Sequence, residues 1–241
     1  MDNIRITAKL SSPIAVLDDW SPSLEAILEY VWLDDRGLVR ATPNTDDLIY
    51  PEIPLQRSFI NGVGYWCCSA PHYRYSLDNI DRRRKRWNGD LEGYPVYWGK
   101  GTKKIQTDGG SYKSGDLPIF TRNVDSIYWW AVGESEAVQQ MLETVPSIGK
   151  HRGIGYGQIL KWSVNLSSAD YHLFGKSGQL MRPIPLDSIP DSIPHIARRW
   201  AWTTPFNVPG SKVMCAMPVN NVQKIDIDWF AAIDDLVGVK G

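Results

Sequence analysis

Between Ser147 and Trp162 the chain reads SIGKHRGIGYGQILKW, with glycines at 149, 153, 155 and 157 and a basic triplet, Lys150, His151 and Arg152, between the first two. Two kinds of chemistry suit these residue types. Clustered glycines let backbone N–H groups approach an extended anion while Lys150 and Arg152 supply charge. His151, Lys150 and Tyr156 are also of types that move protons, and they lie close together in sequence. Against both stands a plain turn that needs positive φ at several positions. The spacing is not that of a mononucleotide loop, because no Ser or Thr follows Lys150. A dinucleotide loop joins a strand to a following helix. Here the order is helix then strand, so the phosphates expected are those of a nucleic-acid backbone.

A second basic group lies upstream. Residues 71–122 carry eleven Lys or Arg against six Asp or Glu, in a chain of net charge −1. The run holds Arg82, Arg83, Arg84, Lys85 and Arg86, then Lys100, Lys103 and Lys104, interleaved with Tyr, Trp and seven glycines. Cations neutralise phosphates and rings stack on unpaired bases. The composition predicts a protruding, glycine-hinged β-hairpin arm, although a solvated charged face is the usual fate of such a run. Because the whole chain is close to neutral, nucleic-acid contact has to come from such local patches.

The elements that must position these groups are readable from periodicity. Ile4, Ile6, Ala8 and Leu10 alternate with polar residues, which predicts a half-buried first strand. Leu24, Ile27, Leu28, Val31 and Trp32 follow at helical spacing, with Ser21 as the expected cap and Pro22 in the first turn. Residues 57–70 read as a bent second strand, 125–133 as a third, 134–145 as a second helix and 158–166 as a fourth strand. The order strand, helix, strand, insertion, strand, helix, strand predicts an α+β, ferredoxin-like βαββαβ (RRM-like) domain over 1–166, with 71–122 inserted between its second and third strands. Seven prolines between 183 and 218 mark 167–241 as an irregular extension packed on that domain, ending in an amphipathic helix near 225–239.

A βαββαβ unit with GKHRGIGYG between its second helix and last strand resembles the RAMP superfamily of CRISPR-associated RNA-binding proteins. The opening ITAKLSSPIAVLDDWSPSLEAILEYVWL is similar to the type IV (Csf) subunit that caps the five-prime handle of the guide RNA, and the insertion is similar to that subunit's thumb. The resemblance implies a non-catalytic crRNA-binding subunit of a type IV effector complex, in contact with backbone RAMP subunits and the large subunit, and with target DNA near the protospacer-adjacent motif. It carries over onto Gly149, Lys150, His151, Arg152, Gly153, Gly155 and Gly157; Tyr156 and the arm cations join them by position and composition. The alternative is a metal-independent endoribonuclease that processes precursor crRNA, with His151 as its acid or base.

No other chemistry is signalled. Cys67 and Cys68 are adjacent and Cys215 is distant, which gives neither metal spacing nor a disulfide framework and suits a reducing cytoplasm. Acidic pairs such as Asp18–Asp19 and Asp234–Asp235 are neighbours whose side chains diverge, so no metal or cofactor is expected. No apolar window reaches membrane-spanning length, and no membrane contact is expected.

Overall fold

The computed structural model describes residues 1–38, 51–85, 115–204, 211–219 and 221–225. Its centre is a six-stranded sheet. Strands β1 (Asp2–Leu10), β2 (Ile14–Ala15), β5 (His72–Lys85), β6 (Gly115–Gly133), β7 (Ile159–Leu166) and β11 (Val222–Lys224) form it. The order is β11-β5-β6-β1-β7, with β2 beside β6. β1 pairs antiparallel with both β6 and β7, β5 pairs antiparallel with β6, and β11 joins β5 in parallel. Helices α1 (Leu24–Asp35) and α2 (Ser135–Glu143) complete a mixed α/β, sheet-rich unit. No helix among the described residues is long and apolar enough to cross a membrane.

The alternation in the first strand has the expected result. Ile4, Ile6 and Ala8 are fully buried, and they share one core with Leu24, Leu28 and Val31 of α1, Val138 and Leu142 of α2, and Trp129 of β6. Each Ile, Leu or Val side chain among these contributes about 1.5–3 kcal/mol by leaving water. Two buried indoles keep their N–H groups satisfied: Trp129 Nε1 donates to the Pro22 carbonyl at 3.2 Å and Trp162 Nε1 to that of Val145 at 3.0 Å. β7 departs from its pattern, because Leu160 and Leu166 are exposed at the sheet edge while Trp162 is buried.

Three expectations are corrected. The cap of α1 is Ser23, which accepts from the Ala26 N–H, not Ser21. Residues 57–70 are not the sheet's second strand. They form a separate hairpin, β3 (Arg57–Ile60) and β4 (Val63–Trp66), turning at Asn61 (φ 52°) and Gly62 (φ 77°). Asn-Gly between β-formers is the strongest short hairpin signal, and it outweighs the apolar run around it. The long strand beside β6 is β5, in the segment read as arm, whose mixed charges hide the inward Tyr73 and Tyr75. The stretch after 167 is not irregular throughout. It holds a three-stranded sheet of β8 (Ile184–Pro185), β10 (Val213–Met217) and β9 (Ile196–Trp200), besides β11. Strands of two to five residues between prolines are too short to show a period. The helix expected near 225–239 lies almost wholly outside the described residues.

One buried charge ties these parts together. Arg182 is 2% exposed and sits 3.5 Å from Glu25 of α1, itself 3% exposed. Its guanidinium donates to the carbonyls of Trp66, Cys68 (3.1 Å) and Trp202 (2.8 Å). Burial pushes the Glu25 carboxyl above its ordinary range, against the pull of Arg182. One turn along α1, Glu29 accepts from Trp66 Nε1 at 2.9 Å and Thr204 Oγ1 at 2.5 Å.

Removing one partner of a buried pair costs about 3–5 kcal/mol. Arg182→Met should therefore lower the urea midpoint sharply, and Glu25→Gln added to it should restore part of the loss. A small loss in the single variant would contradict the arrangement. The pH profile is a second measurement. Burial raises Glu29 from 4.5 to about 7, so the folded chain holds this proton after the unfolded chain has released it, and stability falls as pH rises from 4.5 to 7. Burial lowers His72 from 6.5 to about 4, so stability also falls as pH drops from 6.5 to 4. The two effects offset each other between 4.5 and 6.5. Glu29→Gln should remove the first, by about 3.5 kcal/mol at most at about 1.4 kcal/mol per pKa unit. Its melting temperature should then exceed the parent's above pH 7 and decline steadily with acid below 6.5.

Candidate nucleic-acid interface

The glycine loop is a closed and strapped structure. Ser147 bridges Gln158 across its base, and the Ile148 N–H donates to the Gly157 carbonyl at 2.8 Å. The segment after β1 holds it from beneath: the Gly157 N–H donates to the Pro13 carbonyl at 2.8 Å and the Lys150 N–H to the Ala15 carbonyl at 3.2 Å. β2 is itself paired with Thr121 and Arg122 of β6. The loop therefore sits where the β5–β6 hairpin leaves the sheet.

The glycines divide by role. Gly157 has φ 64°, and a Cβ there would lie 1.9 Å from the Ile148 carbonyl oxygen; Gly149 has φ 82° and would meet Ile14 at 2.9 Å. Both are required by close packing. Gly155 has φ 98° in open space, and Gly153 has open space without a positive φ. His151 is the non-glycine residue that takes the left-handed conformation here, at φ 56°, leading into the 3-10 turn Arg152–Ile154. The glycines thus shape the loop, and Lys150, His151 and Arg152 are exposed on it.

Two side chains fix the loop to its surroundings. The Tyr156 hydroxyl donates to Asp81 Oδ2 on β5 at 2.7 Å, and that bond holds the phenol above its ordinary pKa. Arg152 lies 5.1 Å from the ring centroid of Tyr30 on α1. Tyr156 is thus engaged with the arm rather than with His151 or Lys150. By the two-residue period of a strand, Asp81 and Arg83 share one face of β5. Arg83 is exposed and has no ion pair among the described residues. Arg82 is exposed and pairs with Asp116 at 2.9 Å. The backbones of Arg84 and Lys85 continue β5. Arg86, Lys100, Lys103 and Lys104 lie outside the described residues, so the two ends of the basic arm are the part that can be placed beside the loop.

Three residues with positioning roles escaped the sequence reading. Asp81 was hidden in a basic run, and Tyr30 reads as the polar side of a helix. Arg122 donates to Asp19 at 2.6 Å, Asp78 at 3.2 Å and the Tyr73 hydroxyl at 2.9 Å, and lies 4.6 Å from the ring of Tyr75. It clamps the base of the hairpin to the segment before α1. Among the described residues no group of His, Cys, Asp and Glu is placed to hold a metal ion.

If the glycines act through packing, their substitutions will differ. Gly157→Ala should lower stability by more than about 1 kcal/mol, since the strained φ and the clash add, whereas Gly153→Ala should be near neutral. Equal melting temperatures for the two would contradict the division.

No curated protein matches the chain. Residues 73–173 match the family model described as CRISPR type IV associated protein Csf3. The match runs from β5 through the arm, β6, α2 and the glycine loop to β7, which includes the elements of the candidate interface. Over those residues the chain is similar to a type IV CRISPR-associated protein family.

Proposed function

We propose that this chain is a non-catalytic crRNA-binding subunit of a type IV CRISPR effector complex, gripping the five-prime handle between the glycine loop and the basic arm. The observation that carries the reading is the Tyr156–Asp81 hydrogen bond. It joins two basic elements 75 residues apart in sequence at the place where the hairpin leaves the sheet. Lys150, Arg152 and Arg83 are then exposed cations on neighbouring surfaces, with the exposed His151 between the first two, suited to a phosphate backbone. The arrangement β7-β1-β6-β5, antiparallel throughout, with a helix after β1 and another after β6, supports a ferredoxin-like RAMP reading of 1–166. On that reading the arm between β5 and β6 is the thumb that meets a backbone subunit. The large subunit and target DNA near the protospacer-adjacent motif are the further expected contacts, in a cytoplasmic ribonucleoprotein.

Binding of repeat-derived RNA should weaken steeply with salt. Lys150→Ala with Arg152→Ala should reduce the magnitude of the log K against log salt slope by about 1.4, at about 0.7 per single-strand phosphate contact. Arg82→Ala with Arg83→Ala should act in the same direction. The RNA should remain intact in chelator. Cleavage lost on His151→Ala would replace this reading with the endoribonuclease, and an unchanged slope in both double variants would remove the loop and arm from the interface.

A further inference from the structure

The central sheet has two faces, and the helices close one of them. On the other, Arg5, Thr7 and Lys9 project from β1, alternating with the buried Ile4, Ile6 and Ala8. The pairing register sets their neighbours. Lys9 lies between Lys161 of β7 and Ser126 of β6, and Thr7 between Ser163 and Tyr128. Beyond β6, His72 of β5 pairs with Tyr128, so Arg74 stands next to the level of Ser126. Lys161, Lys9 and Arg74 therefore make a cationic row across four strands, about 15 Å at the usual strand spacing. All three are exposed and none has an ion pair among the described residues. Tyr128, half-buried, stands one level above the row.

Tyr128, Arg74 and Ser76 line an open cleft of about 630 Å³ on this side. The acid in its lining is Asp125, which accepts from Ser126 Oγ at 2.7 Å. The buried Nε2 of His72, also in that lining, has no hydrogen-bond partner. At the other end the row runs into the glycine loop, for two residues after Lys9 the Ser11 N–H donates to the Gln158 carbonyl at 2.9 Å.

A row of unpaired cations beside a partly exposed ring is the chemistry of a single-strand platform, in which phosphates meet charge and an unpaired base meets a π face. We propose that the open face of the sheet is a second binding surface of this protein, for single-stranded RNA, with Lys161, Lys9 and Arg74 on the phosphates and Tyr128 stacked on a base. It rests on the reading above only for the ligand being RNA, and not for the loop or the arm.

The test uses the full chain and an unstructured single-stranded RNA carrying 4-thiouridine, with cross-linked peptides mapped and affinities measured beside thermal melts. Cross-links should reach the peptide that contains Tyr128. Tyr128→Thr should weaken binding about tenfold, while Tyr128→Phe, which keeps the ring, should not. Lys9→Thr with Lys161→Thr, exposed changes that keep β-propensity, should weaken binding and lower its salt slope even if Tyr128→Thr folds poorly. Loss in Lys150→Ala/Arg152→Ala alone would leave the loop reading standing and overturn this one. Loss in the face variants alone would do the reverse. Cross-links confined to loop and arm, or face variants that weaken only single-stranded DNA, would also overturn it.

Discussion

A guanidinium with 2% of its surface in contact with solvent can be kept in a protein only if most of its donors are satisfied where it sits. At Arg182 the partners come from places far apart in the chain: the carboxylate of Glu25 on α1, the carbonyls of Trp66 at the end of β4 and Cys68 just beyond it, and that of Trp202 after β9. Each partner alone repays little of the cost of dehydrating the charge. The gain comes when all are assembled, so the helix, the hairpin and the C-terminal strands stand or fall together. Tyr65, 4.7 Å beneath the guanidinium, belongs to the apolar cluster with Trp202, Cys215 and Met217 that seals the same junction. The junction also fixes where the chain leaves Ala70 to begin β5, and hence the line along which the arm departs.

From that line the geometry of the candidate interface follows. β5 and β6 run on together past the sheet, and Arg122 holds their base to Asp19 just ahead of α1. β2 fills the space between β6 and the glycine loop. The loop thus takes its shape from backbone bonds to residues 13–15 and from two glycines without room for a side chain. Lys150 and Arg152 are exposed on it, Arg152 reaching the ring of Tyr30 on α1 as well.

Much of this was legible in the sequence, and the parts that were not have physical reasons. Ile4, Ile6, Ala8 and Leu10 announced their strand because one face is buried and the other wet. Both helices were visible through their apolar spacing. The glycine loop could be placed between helix and strand, and its cations named. The second strand was misplaced because the run from Phe59 to Ala70 is more apolar than β5, although Asn61-Gly62 marked a turn in its middle. The sheet in the extension was invisible because its strands are shorter than any reliable period. Arg182 could not have been found at all, since a single arginine in a proline-rich stretch looks like surface until its partners arrive from three other segments. The contacts of Tyr156 and Arg152 with Asp81 and Tyr30 depend on tertiary approach, which residue spacing does not encode.

The Tyr156–Asp81 bond has a mechanical side. Among the described residues, the β5–β6 ribbon beyond Arg122 has no third strand flanking it except the two residues of β2, and β11 ends opposite Tyr75. A two-stranded ribbon has little stiffness of its own. Asp81 lies on that ribbon, beyond the Arg122 clamp, so its bond to Tyr156 is a side-chain linkage between ribbon and loop that adds to the backbone one through β2. A partner that bends or steadies the ribbon moves or steadies Tyr156, and a ligand that sets the loop sets the ribbon in return. By linkage, the free energy of fixing either element through that bond would be felt by the other.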